Sequence, residues 1–460
     1  MSFKLDITQY NEKELADIQK MLTFVFKNPF GANLKVEAFM KISEDVVRVP
    51  FQAGLRLSEL EFDEYRATGV KKWEFTGKLF PQQQELFDQM FPVFTTKGSV
   101  LIGAYTSWGK TIQSVHLASS VIAGRKGKVL IVFSIRVLID SWVETFKEFT
   151  NASVIQVEKE GDEDKADILI CMAGALKYIT KKVDVVILDE AHTLCTQIIL
   201  DKLLLIKTSF VIALTATPDR DDKMDAIIVA MVGGDKHRFI LKYKKPFQIF
   251  KLNTGFAKIN CKEVAKVIRA RKDYKDGVED TRGFLETCLS LHPERNEKIS
   301  ILLCRLALET NFKIAVMANR SEQIDILYQE LIDSGVSVSR LRGNDKNPEN
   351  SKVLIGDIRK MGIGFDDKMA VRNWDGKRIN LVVYLLSTYK LEQSIGRSRA
   401  PRPYAIHLVD NHKWFHNSYK DNHTWYEEHL EGDGAFREIE GDPWNSIVET
   451  LIAENPIDTA

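Results

Sequence analysis

Runs of consecutive β-branched and aliphatic residues recur along the chain, and each is followed by a stretch with apolar residues at helical spacing. Continuous apolar runs are typical of parallel strands that are covered on both faces. The first set predicts strands at 100–102, 128–133, 166–171, 183–188 and 210–214. A second set predicts strands at 313–317, 336–341, 352–355, 381–385 and 405–409. The alternation of strands and helices predicts an α/β fold with two doubly wound parallel sheets.

The same pattern divides the chain into five predicted segments. Residues 1–75 lack the long apolar runs and indicate a small β-rich accessory module. The two sheet domains are predicted at 76–235 and 286–410, with a locally basic linker at 236–285 between them. Residues 411–460 contain several tryptophans among many acids. We expect them to form a short C-terminal extension that packs on the second domain, with a docking surface for a partner protein as the alternative.

Composition narrows the class of protein. The chain has 460 residues, of which 44% are hydrophobic and 28% charged, as in ordinary soluble globular proteins. Lys+Arg and Asp+Glu both total 64, so a polyanion has to be bound by a local basic surface. The five cysteines form no C-x-x-C pair, which predicts neither a zinc site nor a disulfide framework. No long apolar segment or signal-peptide pattern is present, so we expect an intracellular, soluble protein with no membrane partner.

Residues 104–111 follow the first predicted strand and precede a helical stretch, which is the context of a phosphate-binding loop. The pattern G-x-x-x-x-G-K-[ST] is matched except that Ala104 replaces its first glycine, and Ser107 stands where such loops often have a middle glycine. In such a loop Gly109 lets backbone N–H groups turn toward the phosphates, Lys110 binds the β and γ phosphates, and Thr111 ligates Mg²⁺. The predicted nucleotide-binding residues of this loop are Ala104, Thr106, Ser107, Trp108, Gly109, Lys110 and Thr111.

Two carboxylates, Asp189 and Glu190, directly follow the predicted strand at 183–188. Ligands of open α/β sheets bind at the carboxyl ends of the strands. Asp189 is therefore the expected Mg²⁺ ligand, and Glu190 the residue that orients or deprotonates the attacking water. A solvated acidic turn is the alternative, which the phosphate loop upstream makes the weaker one.

Two further segments resemble motifs of helicase superfamily 2. Residues 215–218 resemble the segment that couples hydrolysis to domain movement, with Thr215 and Thr217 as its hydroxyl residues. Residues 393–399 resemble the Q-x-x-G-R-x-x-R motif, although Ala400 occupies its last position. The resemblance implies that Gln393 takes part in coupling and that Arg397 and Arg399 stabilise charge on the γ-phosphoryl group when the two domains close. The alternatives are that Arg402 replaces Arg399 in this role or that Arg397 acts alone.

The resemblance extends over most of the chain and implies two tandem RecA-like domains with ATP as the nucleotide. Residues 79–83 resemble a segment of XPB-like and UvsW-like helicases in which a glutamine, here Gln83, recognises adenine. Residues 131–144 resemble the first nucleic-acid-contacting motif of these enzymes. The second-domain motifs are matched at 315–320 and 362–366, where Gly364 and Asp366 are expected to contact ATP.

The overall order of motifs, with Arg295-Asn296 ahead of the second sheet, is most similar to the transcript-release helicases of large cytoplasmic DNA viruses. That resemblance implies a 3′-to-5′ DNA-dependent ATPase that unwinds duplexes in transcription termination, located in the host cytoplasm or the virion. It implies DNA, an RNA–DNA hybrid or RNA as ligand, and the transcription machinery or a termination cofactor as partner. The candidate nucleic-acid contacts are Arg136, Ser141, Asn319, Arg320, Lys360 and Trp374.

Trp374 precedes Asp375-Gly376, a pair that favours a hairpin turn within 368–380. The aromatic ring would serve to separate base pairs, with a plain solvent-exposed hairpin as the alternative. Three other functions remain open: an RNA-directed superfamily 2 helicase, a branch-migrating helicase of DNA repair or recombination, and a non-hydrolysing ATP-gated scaffold. The scaffold is suggested by Ser107 and Ala400, which depart from the motifs.

Overall fold

The computed structural model contains two compact units, Met1–Lys242 and Tyr243–Ala460. The ranges that the structure describes are 1–26, 33–60, 62, 69–104, 108–134, 136, 138–216, 225–241, 247–257, 266, 281–343, 345, 347–362, 367–386, 400, 402–429, 436–439 and 442–457. None of the helices in these ranges combines the length and the apolar character that a membrane crossing requires.

The first unit begins with a small β-rich part, as predicted. Its elements are β1 (Ser2–Asp6), α1 (Glu12–Met21), β2 (Thr23–Phe26), β3 (Leu34–Glu37), β4 (Met40–Lys41), β5 (Val46–Pro50) and α2 (Phe51–Leu57). Strands β1, β5 and β4 form an antiparallel sheet, and β2 pairs with β3. The guanidinium of Arg48 donates to the carbonyl of Leu204 over 3.0 Å. The apolar residues of this part share one core with a face of the sheet that follows.

The first large sheet has seven parallel strands in the order β12-β6-β11-β10-β7-β9-β8. Its elements, in chain order, are α3 (Pro81–Lys97), β6 (Ser99–Gly103), α4 (Lys110–Ser120), β7 (Val129–Phe133), α5 (Leu138–Phe149), β8 (Val154–Val157), β9 (Ile168–Met172), β10 (Val183–Leu188), α6 (Gln197–Leu205), β11 (Thr208–Thr215), α7 (Asp225–Val232) and β12 (Arg238–Ile240). Strands β6, β11 and β10 are parallel neighbours, so the segments that follow them lie at the same edge of the sheet.

The second unit contains another seven-stranded parallel sheet, ordered β15-β16-β14-β17-β18-β13-β19. Its elements are β13 (Gln248–Ala257), α8 (Arg282–Ser290), α9 (Pro293–Glu309), β14 (Ile314–Ala318), α10 (Ser321–Asp333), β15 (Val338–Leu341), β16 (Val353–Asp357), α11 (Ile358–Gly362), α12 (Asp367–Ala370), β17 (Leu381–Tyr384), β18 (Tyr404–Asn411), α13 (Lys413–His429), β19 (Phe436–Glu438) and α14 (Pro443–Glu454). The two tandem parallel sheets confirm the predicted fold class.

The stretch at 236–285 is more than the predicted linker. Strand β12 belongs to the first sheet, and β13 belongs to the second. Strand β13 escaped prediction because polar residues interrupt its apolar ones: Ile249, Phe250 and Leu252 are buried, whereas the Lys251 ammonium lies 5.3 Å from the ring centre of Tyr419. The extension also completes the second sheet, since β19 pairs with β13 and apolar residues of α14 enter its core.

No hairpin forms where Asp375-Gly376 predicted one, because the described residues 371–380 contain no strand. The Asp375 carboxylate instead accepts from the Lys313 ammonium over 2.8 Å and from the backbone N–H of Lys377 over 3.0 Å. Such side-chain bonds to nearby backbone compete with cross-strand pairing. The hairpin prediction was therefore wrong, and the segment is a loop anchored to the second sheet.

Candidate nucleotide and nucleic-acid site

The phosphate loop leaves the buried strand β6 at Gly103 and enters α4 at Lys110. The N–H of Ala104 donates to the carbonyl of Thr215 over 3.1 Å, which ties the start of the loop to the end of β11. Gly109 caps α4 with φ +101°, a conformation that other residues adopt at a cost. The backbone therefore requires a glycine at this position.

Lys110 points into the loop that precedes it. Its ammonium donates to the carbonyl of Ala104 over 2.6 Å, and Thr111 lies half-buried in the first turn of α4. The first N–H groups of a helix and a lysine in one place attract anions, because both contribute positive potential. The predicted loop residues Thr106 and Ser107 lie outside the described residues.

Gln83 supports the loop directly. Its side-chain oxygen accepts from the N–H of Phe80 over 2.9 Å, and its side-chain nitrogen donates to the carbonyl of Trp108 over 3.1 Å. Gln83 is 2% exposed, and a Cβ added at Gly109 would collide with its amide nitrogen. The side chain predicted to recognise adenine therefore makes two bonds inside the protein and fills the space beside the loop glycine.

Asp189 is fixed by three bonds at the end of β10. Its N–H donates to the carbonyl of Val132 over 2.9 Å. One carboxylate oxygen accepts from the indole N–H of Trp142 over 2.8 Å, and the other from the N–H of Glu190 over 3.0 Å. Burial, followed by the negative charge of Glu190, raises the pKa of the Asp189 carboxyl, while the Trp142 bond and the charge of Lys110 act the other way.

Glu190 has φ +46°, the left-handed region that residues other than glycine rarely adopt. Thr193 holds this turn closed, because its N–H and its hydroxyl donate to the carbonyl of Glu190 over 2.7 and 2.8 Å. The Thr193 hydroxyl also lies 2.6 Å from that of Ser134, which follows β7. Unusual backbone conformations held by surrounding bonds are concentrated at functional sites.

His192 lies beyond Glu190 in the same turn and is buried. Its Nδ1 atom lies 3.0 Å from the Thr215 hydroxyl and 3.4 Å from the Glu190 carboxylate. Thr215, which was predicted to couple hydrolysis to movement, thus contacts the turn that carries Glu190 through His192. Thr217, the second predicted coupling hydroxyl, lies outside the described residues.

The donor set fits a Mg²⁺ ion that is held partly by nucleotide phosphates. Among the described residues no group of three or more His, Cys, Asp or Glu side chains is placed to hold a metal alone. Mg²⁺ commonly binds one or two carboxylates together with phosphate oxygens and water. The Asp189 carboxylate and the Thr111 hydroxyl would supply the protein ligands, and Lys110 would face the phosphates.

The nucleic-acid candidates fall into two units, which are described separately. In the first unit Arg136 is exposed just beyond β7, and Ser141 lies on α5. In the second unit Asn319 and Arg320 directly follow β14, and Lys360 follows β16 on α11. Within each unit these residues therefore lie beyond the carboxyl ends of strands.

Arg320 and Lys360 already have partners inside the second unit. The Arg320 guanidinium donates to the hydroxyl of Thr287 over 3.1 Å and to the carbonyl of Gly283 over 3.0 Å. The Lys360 ammonium donates to the carbonyl of Asp345 over 3.2 Å. Any phosphate contact by either residue has to share or replace these bonds.

In the second unit, Trp374 and the candidate Asn319 lie near opposite ends of β14. The neighbouring Asp375 is bonded to Lys313, which directly precedes β14, whereas Asn319 directly follows that strand. At about 3.3 Å a residue, Lys313 and Asn319 are separated by roughly 20 Å along the strand. The Trp374 indole donates to the carbonyl of Lys377 over 3.0 Å, with the Arg378 guanidinium 5.0 Å from its ring centre. Within the second unit, Trp374 therefore lies apart from Asn319 and Arg320.

Several predicted site residues lie outside the described residues, so their predictions stand as made. They are Thr106, Ser107, Thr217, Gly364, Asp366, Gln393, Arg397 and Arg399. Sequence reasoning, for its part, assigned no role to Trp142 or His192, both of which bond to the site. Trp142 lies in the motif-like segment 131–144, and His192 lies two residues after Glu190, but the sequence does not reveal that either side chain turns inward.

The chain is similar in sequence to a known family and to several viral proteins. A family model described as the res subunit of type III restriction enzymes matches residues 76–220. The chain is 25% identical over 456 residues to "Putative helicase 161L" of Invertebrate iridescent virus 6, covering 93% of this chain and 98% of that one. It is 24% identical over 283 residues to "Putative helicase 109L" of Invertebrate iridescent virus 3, covering 56% of this chain and 84% of the relative.

Among solved structures, the fold is similar to the ATP-dependent Type ISP restriction-modification enzyme LlaBIII bound to DNA, with a TM-score of 0.51 and 12% identity. The match covers 82% of this chain and 33% of that enzyme. At this identity the likeness concerns the fold.

Proposed function

We propose that the chain is a superfamily 2 helicase of the kind that large DNA viruses encode, an ATP- and Mg²⁺-dependent motor that moves 3′ to 5′ on DNA. Its cellular role would be transcription termination and transcript release, together with the transcription machinery or a termination cofactor. The polarity and the role rest on the resemblance of the motif order to transcript-release helicases.

The observation that carries the enzymatic part is the meeting of three side chains at one edge of the first sheet. Lys110 follows β6, Thr215 ends β11 and Asp189 follows β10, and these three strands are neighbours. A strand order that brings residues so distant in sequence together is what an ATP-hydrolysing site requires. It supplies a cation for the phosphates, a carboxylate for the metal and a hydroxyl that contacts the catalytic turn.

The chemistry assigned to each residue follows from its position. Lys110 exchanges its bond to the Ala104 carbonyl for the phosphates, and Thr111 and Asp189 would hold Mg²⁺. When bound there, the metal would supply positive charge against the charge that develops on the phosphoryl oxygens. Glu190, held next to Asp189 by the strained turn, orients and deprotonates the attacking water. The amide of Gln83 keeps the loop backbone in place through the Trp108 carbonyl.

The nucleic-acid part of the proposal rests on Arg136 and Ser141 in the first unit and on Asn319 and Arg320 in the second. Each pair stands beyond the carboxyl end of a strand, where loops and helix starts are free to meet a ligand. Contacts of this kind go mainly to phosphates, so we expect little dependence on base sequence.

The proposal is tested by the ATPase rate of the full chain with single-stranded DNA, duplex DNA and RNA, with strand displacement scored on 3′ and 5′ overhangs. We expect DNA to stimulate hydrolysis and only the 3′ overhang to support displacement. Glu190→Gln should lower turnover by about 10²–10⁴-fold while nucleotide still binds, since a general base is worth that much. Glu148→Gln, an exposed acid on α5, is the matched control and should leave turnover unchanged.

Other outcomes would select the alternatives. Stimulation by RNA alone would replace DNA as the ligand, and displacement only from a 5′ overhang would reverse the polarity. A branch-migrating repair function would appear as preferential action on four-way junctions. Nucleotide binding without any hydrolysis, in the wild-type chain as in Glu190→Gln, would identify an ATP-gated scaffold.

A further inference from the structure

The indole of Trp142 makes a bond that the proposed mechanism leaves unused. Trp142 is 1% exposed, and its ring stacks 6.0 Å from that of Phe146 in the core of the first unit. Its one polar atom donates to a carboxylate oxygen of Asp189 over 2.8 Å. The donor is thus buried in an aromatic cluster, and its acceptor is the residue assigned to the metal.

The position of Trp142 along the chain relates its bond with Asp189 to the predicted nucleic-acid contacts of the first unit. Trp142 lies in the second turn of α5, directly after Ser141, and Arg136 precedes the helix by two residues. Ser141 and Arg136 are the candidate phosphate contacts of the first unit. One short helix therefore carries both a predicted nucleic-acid contact and the donor to the metal ligand.

We propose that Trp142 is a positioning residue, which orients the Asp189 carboxylate for Mg²⁺ and links nucleic-acid contact at the start of α5 to the metal site. This inference rests on the proposed function, because it takes Asp189 as the metal ligand. It assigns to Trp142 a role that a core aromatic residue of the same size without an N–H group could not fill.

The geometry of the carboxylate explains why one donor matters. Each oxygen of an ionised carboxylate accepts about two hydrogen bonds. One Asp189 oxygen is taken by the N–H of Glu190, and the other by Trp142, so the plane of the group is fixed from both sides. Groups that orient a metal ligand in this way typically change metal affinity 10–100-fold when removed.

The indole N–H group is expected to move together with helix α5. It is a donor only and has no freedom beyond two side-chain torsions, so its N–H follows the backbone of α5. A shift of α5 when phosphate binds near Ser141 therefore moves the donor relative to Asp189. Asp189 itself is held to β7 through the carbonyl of Val132 and stays in place.

The test uses Trp142→Phe in the full chain and measures the Kd of a fluorescent ATP analogue with Mg²⁺ and with EDTA. We expect binding about 10-fold weaker in Mg²⁺ and unchanged within twofold in EDTA, because only the metal-dependent part is affected. Trp73→Phe is the matched control, since Trp73 is equally buried, belongs to the same cluster and donates its indole N–H to the carbonyl of Gly127 over 2.8 Å. Its ratio of the two Kd values should match the wild-type ratio.

The variant Asp189→Asn provides a second measurement. If Trp142 acts through Asp189, adding Trp142→Phe to Asp189→Asn causes no further loss of Mg²⁺-dependent binding. Independent losses in the double variant would overturn the proposal, as would an equal loss in Mg²⁺ and EDTA or no loss at all. A partly unfolded preparation does not obscure the result, because unfolded protein lowers the titration amplitude and leaves the Kd ratio unchanged.

A separate measurement tests the proposed link between nucleic-acid contact and the metal site. In the wild type, saturating single-stranded DNA should tighten Mg²⁺-dependent nucleotide binding, and in Trp142→Phe this tightening should fall at least threefold. An undiminished tightening in Trp142→Phe would remove the linking role. If the wild type shows no effect of DNA or RNA, the motor function fails, whereas the orienting role is still decided by the Mg²⁺ and EDTA measurements.

Discussion

The Nδ1 atom of His192 lies 3.0 Å from the hydroxyl oxygen of Thr215, 23 residues further along the chain. Both side chains are buried, and the same nitrogen is 3.4 Å from the Glu190 carboxylate. The end of β11 is thereby joined to the turn that carries the candidate general base. A movement of either segment changes the surroundings of the other.

Breaking this contact should separate hydrolysis from movement. We expect Thr215→Val to reduce strand displacement more strongly than DNA-stimulated hydrolysis, because it removes the hydroxyl and leaves Glu190 in place. Thr208→Val is the control: that hydroxyl lies at the other end of β11, where it donates to the carbonyl of Phe210 over 3.0 Å. The measurement is base pairs unwound per ATP hydrolysed, and an equal loss of both activities in Thr215→Val would contradict the prediction.

Gln83 should affect nucleotide affinity more than nucleotide choice. Both ends of its amide are bonded to the protein, at Phe80 and Trp108, so the side chain supports the loop. We expect Gln83→Ala to raise the KM for ATP and for GTP by the same factor. The kcat/KM values of the two nucleotides provide the check, and a selective loss of ATP use would instead show that Gln83 recognises adenine, as the sequence predicted.

The second unit should depend on one buried ion pair. Arg295 donates to Asp410 over 2.8 Å with both side chains almost wholly buried, and Asp410 also accepts from the Thr254 hydroxyl over 2.6 Å. We expect Arg295→Met to lower the free energy of unfolding by about 3–5 kcal/mol, because an unpaired carboxylate is left in the core.

The control for that ion pair is Arg305→Met on the same helix. Arg305 pairs with Glu309 over 2.9 Å near the surface, where such a pair contributes about 0–1 kcal/mol. Urea denaturation of both variants gives the comparison. Similar losses of unfolding free energy in the two variants would show that removing a partner from the buried Arg295 pair costs no more than removing one from a surface pair.

His407 should make the stability of the second unit depend on pH. Burial lowers the pKa of His407 to about 3 from its ordinary 6.5, and its Nε2 atom lies 2.8 Å from the Tyr426 hydroxyl. The unfolded chain therefore binds a proton that the folded chain does not between these values. The contribution of His407 to the free energy of unfolding is therefore constant above about pH 6.5. It falls by roughly 1.4 kcal/mol per pH unit as the pH drops toward 3.

The check is urea denaturation of the wild type and of His407→Gln between pH 7 and pH 4.5. Glutamine keeps a polar group for Tyr426 and does not titrate, so we expect a shallower dependence on pH in the variant. Parallel curves for the two proteins would exclude His407 as the source of the dependence.

The sequence by itself determined the two sheets and the segments that carry the chemistry. The run at 128–133 became β7, and the run at 183–188 became β10, because uninterrupted β-branched residues suit a strand that is covered on both faces. The phosphate loop was placed by the strand before it and the helix after it. These patterns involve residues that are close together in the sequence, so one sequence is enough to identify them.

Only the tertiary structure decided which side chains contact one another. Strand β13 joined the second sheet although Lys251 interrupts its apolar residues, and the segment around Asp375 became a loop because Lys313 captured its carboxylate. The bond from Trp142 to Asp189 joins two segments separated by 47 residues. Residue order does not set such distances, because they depend on strand order and on which face of each helix the core accepts.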